Sequence, residues 1–172
     1  STNGKVVIAF NDDANSDYGK AIIGTVSGTS ISFGSVVVFN SGNTESISST
    51  YDSTNQKVVI VYADLGNSSH GTAIVGTVSG TSISFGSEVL FNSATTAYIS
   101  GTYDSNSGKV VIAYEDQGNS QYGTAIVGTV SGTSISFGSE VVFNNTGATN
   151  YNSAVYDSTN QKVVIGYRDD SN

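Results

Sequence analysis

The chain has 172 residues, a net charge of −8, 12% charged residues, 20 glycines, and no proline, cysteine, methionine or tryptophan. That length suits one domain able to bury a sizeable core, and without cysteine there is no disulfide, thiolate ligand or cysteine nucleophile. Six basic against fourteen acidic residues argue against nucleic acid, whose phosphates are held mainly by Lys and Arg, and no apolar run approaches the roughly 18 residues of a membrane helix, so membrane insertion is not expected.

The opening Ser1–Lys5 aligns with Ser53–Lys57, so the chain is expected to begin inside a turn. Lys-Val-Val-Ile follows at Lys5 and returns at Lys57, Lys109 and Lys162, spacings of 52, 52 and 53. Tyr-Asp-Ser recurs at Tyr51, Tyr103 and Tyr156, and Ser-Gly-Thr-Ser-Ile-Ser-Phe-Gly-Ser begins unchanged at Ser27, Ser79 and Ser131. The whole chain is therefore one array of a unit of about 52 residues, with frames 1–52, 53–104 and 105–157 and a partial 158–172.

Each unit reads as four strands, because Val, Ile, Thr, Tyr and Phe dominate between Gly, Asn, Asp and Ser. In the third copy they are strand one over Tyr98–Asp104, strand two over Lys109–Glu115, strand three over Thr124–Val130 and strand four over Ser134–Phe143. Gly138 marks a bulge or kink in the last. No segment carries a helical period, so the chain is all-β.

In Val110–Tyr114 the residues pointing each way are apolar, and strand three repeats this. A strand apolar on both faces belongs in a sheet covered above and below. With no helices available, the cover must be other sheets. Stacked four-stranded antiparallel sheets of this kind form a β-propeller, with four to eight blades. The chain is expected to hold an incomplete set. A three-fold β-trefoil or β-prism is the alternative, since three full units would complete one. The final Tyr167–Asn172 aligns with Phe10–Asn15, which gives a fourth copy of strand two. A spare apolar strand is an association hazard, so the expected partners are a second copy in a homo-oligomer or the rest of a longer array.

The one–two and three–four turns are constant between copies, and the four–one loops differ: Ser41–Ser46, Ser93–Ala97 and Asn145–Asn150, the last carrying the one-residue insertion. The two–three loop repeats an Asp, an Asn and an aromatic or His. These are Asp12, Asn15 and Tyr18; Asp64, Asn67 and His70; and Asp116, Asn119 and Tyr122. Asp and Asn hydrogen-bond sugar hydroxyls and an aromatic ring stacks on a pyranose, so the nine residues are candidate ligand-binding positions, with a glycan as the ligand. One weak site per repeat gains by multivalency. Plain turn chemistry explains the same residues, because Asp and Asn close Asx-turns.

Asn11, Asp12, Asp13 and Asp17 cluster in one loop, yet no spacing matches a calcium loop, so no metal or other cofactor is expected. His70 is the only histidine and stands at a Tyr position of the repeat. No nucleophile has an activating base in its motif, and no Gly-rich phosphate cradle leads into a helix. The chain is read as non-catalytic.

On Tyr-Asp-Ser-x-x-x-Lys-Val-Val-Ile, the Asp-x-x-Asn-Ser loop, Gly-Thr-Ala-Ile-Val-Gly-Thr-Val at Gly71 and Gly123, and the Ser-Gly-Thr-Ser-Ile-Ser-Phe-Gly-Ser run, the whole chain resembles the highly repetitive β-propeller blades of bacterial and bacteriophage surface or virion-associated proteins. The Tyr-Asp-Ser turn is distantly similar to the sialidase Asp-box, but it lacks the Gly-x-Thr-Trp end, so that activity does not carry over. The resemblance implies a recognition or scaffold module exposed at a cell surface, outside the cell or on a virion.

Overall fold

The computed structural model describes residues 4–171, and Ser1–Asn3 of the expected opening turn lie outside them. The chain is all-β. Its strands are β1 (Lys5–Asp12), β2 (Tyr18–Ser27), β3 (Ser30–Phe33), β4 (Val37–Asp52), β5 (Lys57–Asp64), β6 (His70–Ser79), β7 (Ser82–Phe85) and β8 (Val89–Asp104). They continue as β9 (Lys109–Asp116), β10 (Tyr122–Ser131), β11 (Ser134–Phe137), β12 (Val141–Asn144), β13 (Thr149–Asp157) and β14 (Lys162–Asp169).

Strands two and three fall where the pattern puts them, extended by one or two residues at an end. Strand four breaks at Gly138, as expected: β11 and β12 both pair with β10, and the Gly138 amide donates to the Val127 carbonyl across the break at 3.0 Å.

One expectation fails. The segments Ser41–Ser46 and Ser93–Ala97 are not loops, because β4 and β8 run through them unbroken. Each long strand pairs first with the strand three before it and then with the strand two after it. The change of partner is held locally: Asn40 and Asn92 accept from the amides of Gly42 and Ala94 at 2.8 and 2.9 Å. The buried Thr44 and Thr96 bond back to the Gly42 and Ala94 carbonyls. Only the third crossing, with its inserted residue, opens into a loop between β12 and β13.

The array therefore comprises four sheets. Sheet I holds β1, β2, β3 and the first half of β4, which are strands two to four of a unit. Sheet II runs from the second half of β4 through β5, β6 and β7 to the first half of β8. Sheet III runs from the second half of β8 through β9 and β10 to β11 and β12. Sheet IV is β13 and β14, strands one and two. Among the described residues the sheets close no barrel or ring.

The sheets stack face to face. The front of sheet I, with Ala21, Ile23 and Phe39, packs on the back of sheet II, with Val58, Ile60, Tyr62, Ile74 and Ile83. The front of sheet II, with Val59, Val61, Val75 and Phe91, packs on Val110, Ile112, Tyr114, Ile126 and Ile135 of sheet III. Consecutive residues of β5 are thus buried in two different cores: Val58 is 4% exposed and Val59 0%. This is the two-faced burial that the apolar alternation called for.

Aromatic pairs repeat at every interface. Phe39–Tyr62, Phe91–Tyr114 and Phe143–Tyr167 lie 5.2, 5.1 and 5.2 Å apart. The strand-one segments adjoin one another, with the Gly101 amide donating to Ser48 Oγ at 3.0 Å and the Ala154 amide to Ser100 Oγ at 2.9 Å. The constant one–two turn is closed by its aspartate. Asp52 accepts from the Thr54 and Asn55 amides and from Asn55 Nδ2. At the equivalent turns the Ser107 hydroxyl and Asn160 Nδ2, with the backbone amides beside them, hold the Asp104 and Asp157 carboxyls below the usual carboxylate range.

Candidate functional site

The nine sequence-derived positions fall in three equivalent loops, one on each of sheets I to III. Each loop is one 3-10 turn (Asp13–Asn15, Leu65–Asn67, Gln117–Asn119) followed by two left-handed residues, Ser16 and Asp17, Ser68 and Ser69, or Ser120 and Gln121. Asp12 accepts from the Ala14 amide at 3.2 Å, from Asn15 Nδ2 at 2.8 Å and from the Lys20 ammonium. Asp116 accepts from the Gly118 amide at 3.0 Å. Asp64 is buried, its Oδ1 has no hydrogen-bond partner among the described residues, and it sits against Gly42 of the neighbouring crossing. Tyr18, His70 and Tyr122 are half-buried and pair directly with Asp12, Asp64 and Asp116 across the strands.

The loops also build the scaffold. The carbonyls of Asp17, Ser69 and Gln121 accept from the amides of Thr44, Thr96 and Thr149 at 3.0, 2.9 and 3.0 Å. Each two–three loop is thereby tied to a strand crossing, and both lie on one rim of the array. Asp12, Asn15 and Asp116 spend hydrogen bonds on closing turns; the aromatic position makes no such bond.

The same rim carries residues that the repeat pattern did not single out. Where β4, β8 and β13 bulge, Ser46, Tyr98 and Tyr151 adopt φ of 50, 49 and 53°. A left-handed tyrosine is a strained backbone position, and strain of this kind clusters where a side chain must be aimed. The Tyr98 and Tyr151 rings lie 5.0 Å apart at 51°, and Tyr151 is 63% exposed. Arg168 lies 5.0 Å over the Tyr151 ring. Its Nε and Nη2 donate to Asp170 at 2.6 and 2.7 Å, and Asn150 Nδ2 donates to the same carboxylate at 2.6 Å. Asp170 raises the Arg168 pKa, and Arg168 in turn holds Asp170 below its usual range.

Glu115 occupies the repeat position held elsewhere by Asn11, Ala63 and Arg168. It is 2% exposed, accepts from Gln117 Nε2 at 2.9 Å, and is pushed up chiefly by burial, with Asp170 adding to the shift. The result is an asymmetric corner on a near-symmetric scaffold. Two aromatic faces stand beside fixed planar donors and acceptors, the combination that grips a polyhydroxylated ring. The one signal in the sequence is that this position changes from Ser to Tyr between copies, directly after the variable crossing.

Comparison with protein-family models, with characterised proteins and with solved structures finds no match. Among the described residues no group of three His, Asp or Glu side chains converges as a metal site, and no helix is long and apolar enough to cross a membrane.

Proposed function

We propose that this chain is a non-catalytic recognition module of β-propeller blades, which binds glycans or a similar surface ligand through the rim of crossings and two–three loops. The face-to-face stacking of four-stranded units, each handing its last strand to the next unit's first, supports the propeller over a trefoil or prism. The extracellular, cell-surface or virion setting rests on the resemblance of the repeat.

The observation that carries the ligand reading is the pair Tyr98 and Tyr151. Both hold left-handed φ at equivalent bulges, and one ring is largely exposed. A tyrosine gains nothing in the core by standing there. Tyr18, His70 and Tyr122 supply weaker flanking contacts, with Asp12, Asn15, Asp64, Asn67, Asp116 and Asn119 shaping the loops.

The test is a glycan array followed by titration of any hit. Replacing both Tyr98 and Tyr151 by Ala is expected to weaken binding at least about tenfold, which is roughly 1.4 kcal/mol. Tyr18→Ala with Tyr122→Ala is expected to weaken it less. A hit whose affinity ignores Tyr98 and Tyr151 would overturn this site. A blank array for the unaltered chain would favour the second reading, a purely structural self-associating scaffold. That reading has its own support in the exposed apolar faces of the outer sheets.

A further inference from the structure

The geometry points to a closed dimer: two copies of this chain join head to tail at both ends, the back of sheet I in one copy docking on the front of sheet III in the other. The back of sheet I exposes Val6, Ile8, Val26, Ile31 and Phe33 by 39, 41, 44, 46 and 50%. Their counterparts in sheets II and III, such as Ile60, Ile83, Ile112 and Ile135, are buried against the sheet before them. The front of sheet III shows the complementary gap. Val127 and Val141 are 46 and 64% exposed, because sheet IV has no third or fourth strand to cover them. The occupant follows from an interface that the chain already builds twice, between sheets I and II and between sheets II and III.

Three details match. Phe39 and Phe91 each hold a second ring edge-on, Phe85 and Phe137, both at 5.9 Å. Phe143 has only Tyr167 beside it among the described residues, and the ring that completes its set is the exposed Phe33 of a second copy. A Cβ on Gly34 or Gly86 would lie 1.9 Å from the carbonyl oxygen of Thr81 or Thr133, in the three–four turn of the next sheet. At Gly138 a Cβ meets only the Val127 oxygen at 3.8 Å, an open place that Thr29 of a second copy fills. A hollow of about 450 Å³, lined by Phe10, Asn11 and Thr44–Ile47, lies beside β1, which among the described residues pairs only with β2.

Both β1 and β14 are copies of strand two, so one must give way. β14 is the more weakly held: it belongs to a two-stranded sheet, which is marginal alone, and Val164 and Tyr167 are 52 and 43% exposed. β1 also suits its own sheet better. Sheets II and III pair Tyr62 with Glu88 and Tyr114 with Glu140, whereas sheet I has Phe10 and Val36 at those positions. In the dimer, β1 of one copy replaces β14 of the other beside β13. The register of β4 with β5 then sets Val155 against Val7, as Thr50 stands against Val59. Each copy supplies two complete sheets, II and III, and the two copies share two more, each made of β13 from one copy and sheet I from the other. Two copies close six, whereas one copy or three fall outside the four to eight that such rings hold. Tyr151 then exchanges Arg168 for Asn11 of the second copy, which uncovers its ring.

Light scattering on the intact chain is expected to give about 35 kDa, twice 17.7 kDa. Gly138→Val, placed where the single chain has room, is expected to keep the fold by circular dichroism and to weaken the dimer at least tenfold. The chain has no cysteine of its own, so V7C/V155C under mild oxidation is expected to give a covalent dimer and nothing larger. A 17.7 kDa species at all concentrations, a cross-linked ladder beyond two copies, or a Gly138→Val chain that dimerises as before would each overturn the proposal. None of these readouts involves a glycan, so they stand apart from the test of the rim.

Discussion

Replacing Tyr62 by Ala is expected to lower the stability of the chain by about 3–5 kcal/mol, the range for removing a buried aromatic. Tyr62 is 0% exposed, its ring lies 5.2 Å from Phe39, and its hydroxyl donates to Glu88 at 2.7 Å. Burial first, and then the Glu88 carboxylate, push its pKa far above the ordinary phenol value, so it stays a donor across the accessible pH range. Tyr62→Phe keeps the ring and loses only the hydrogen bond, so a loss of about 1 kcal/mol is expected. Phe10 stands at the same repeat position on the half-covered outer sheet, and Phe10→Ala is expected to cost clearly less than Tyr62→Ala. Urea unfolding of the three variants, at a concentration where the chain is monomeric, decides the matter. Equal losses at positions 10 and 62 would mean that the outer and inner sheets are packed alike, contrary to the stacking described above.

The second large effect concerns three glycines in one sequence motif. Gly34, Gly86 and Gly138 each end a Ser-Ile-Ser-Phe strand, and local sequence does not distinguish them. A methyl group at Gly86 would strike the Thr133 carbonyl at 1.9 Å. Backbone on both sides must then move, and overpacking of this kind costs about 1–3 kcal/mol or more. At Gly138 the same methyl group has room. Gly86→Ala is therefore expected to shift the thermal midpoint down by several degrees, whereas Gly138→Ala leaves the single chain almost unchanged. Comparable losses at both positions, measured at a concentration where the chain is monomeric, would show that the contact with the next sheet does not constrain Gly86.

The two glycines also show what could be read in the sequence. Strand content and the covering of strands two and three on both faces follow from the alternation of apolar residues, because side-chain direction in a strand is set by period two, and the break at Gly138 follows from the glycine itself. Gly, Asn and Ser mark loops locally, so the sequence predicts loops at the crossings. In β4 and β8 those residues instead let one strand change partners, a non-local event stabilised by Asn40, Thr44, Asn92 and Thr96. The Asp and Asn of the two–three loops lie at one turn per sheet, and the bonds of Asp12, Asn15 and Asp116 close that turn. The sequence does not mark out Tyr98 and Tyr151, because an aromatic residue within a β-rich run reads as a strand residue. Nothing local announces a left-handed φ at a tyrosine. The covalent sequence also cannot say which copy lies outermost, since Val6, Val58 and Val110 share one context and differ only in what stacks on them.

That last point supplies the most direct test of the central claim, that near-identical strands are covered unequally because the units stack as separate sheets. Hydrogen–deuterium exchange by mass spectrometry can follow the Lys-Val-Val-Ile segment in β1, β5 and β9. Exchange rate depends on local opening, and fully covered strands open least. At a concentration where the chain is monomeric, the stacked arrangement predicts slow exchange in β5 and β9 and the fastest in β1. Equal protection of the three copies, as a three-fold closed fold would produce, would contradict it.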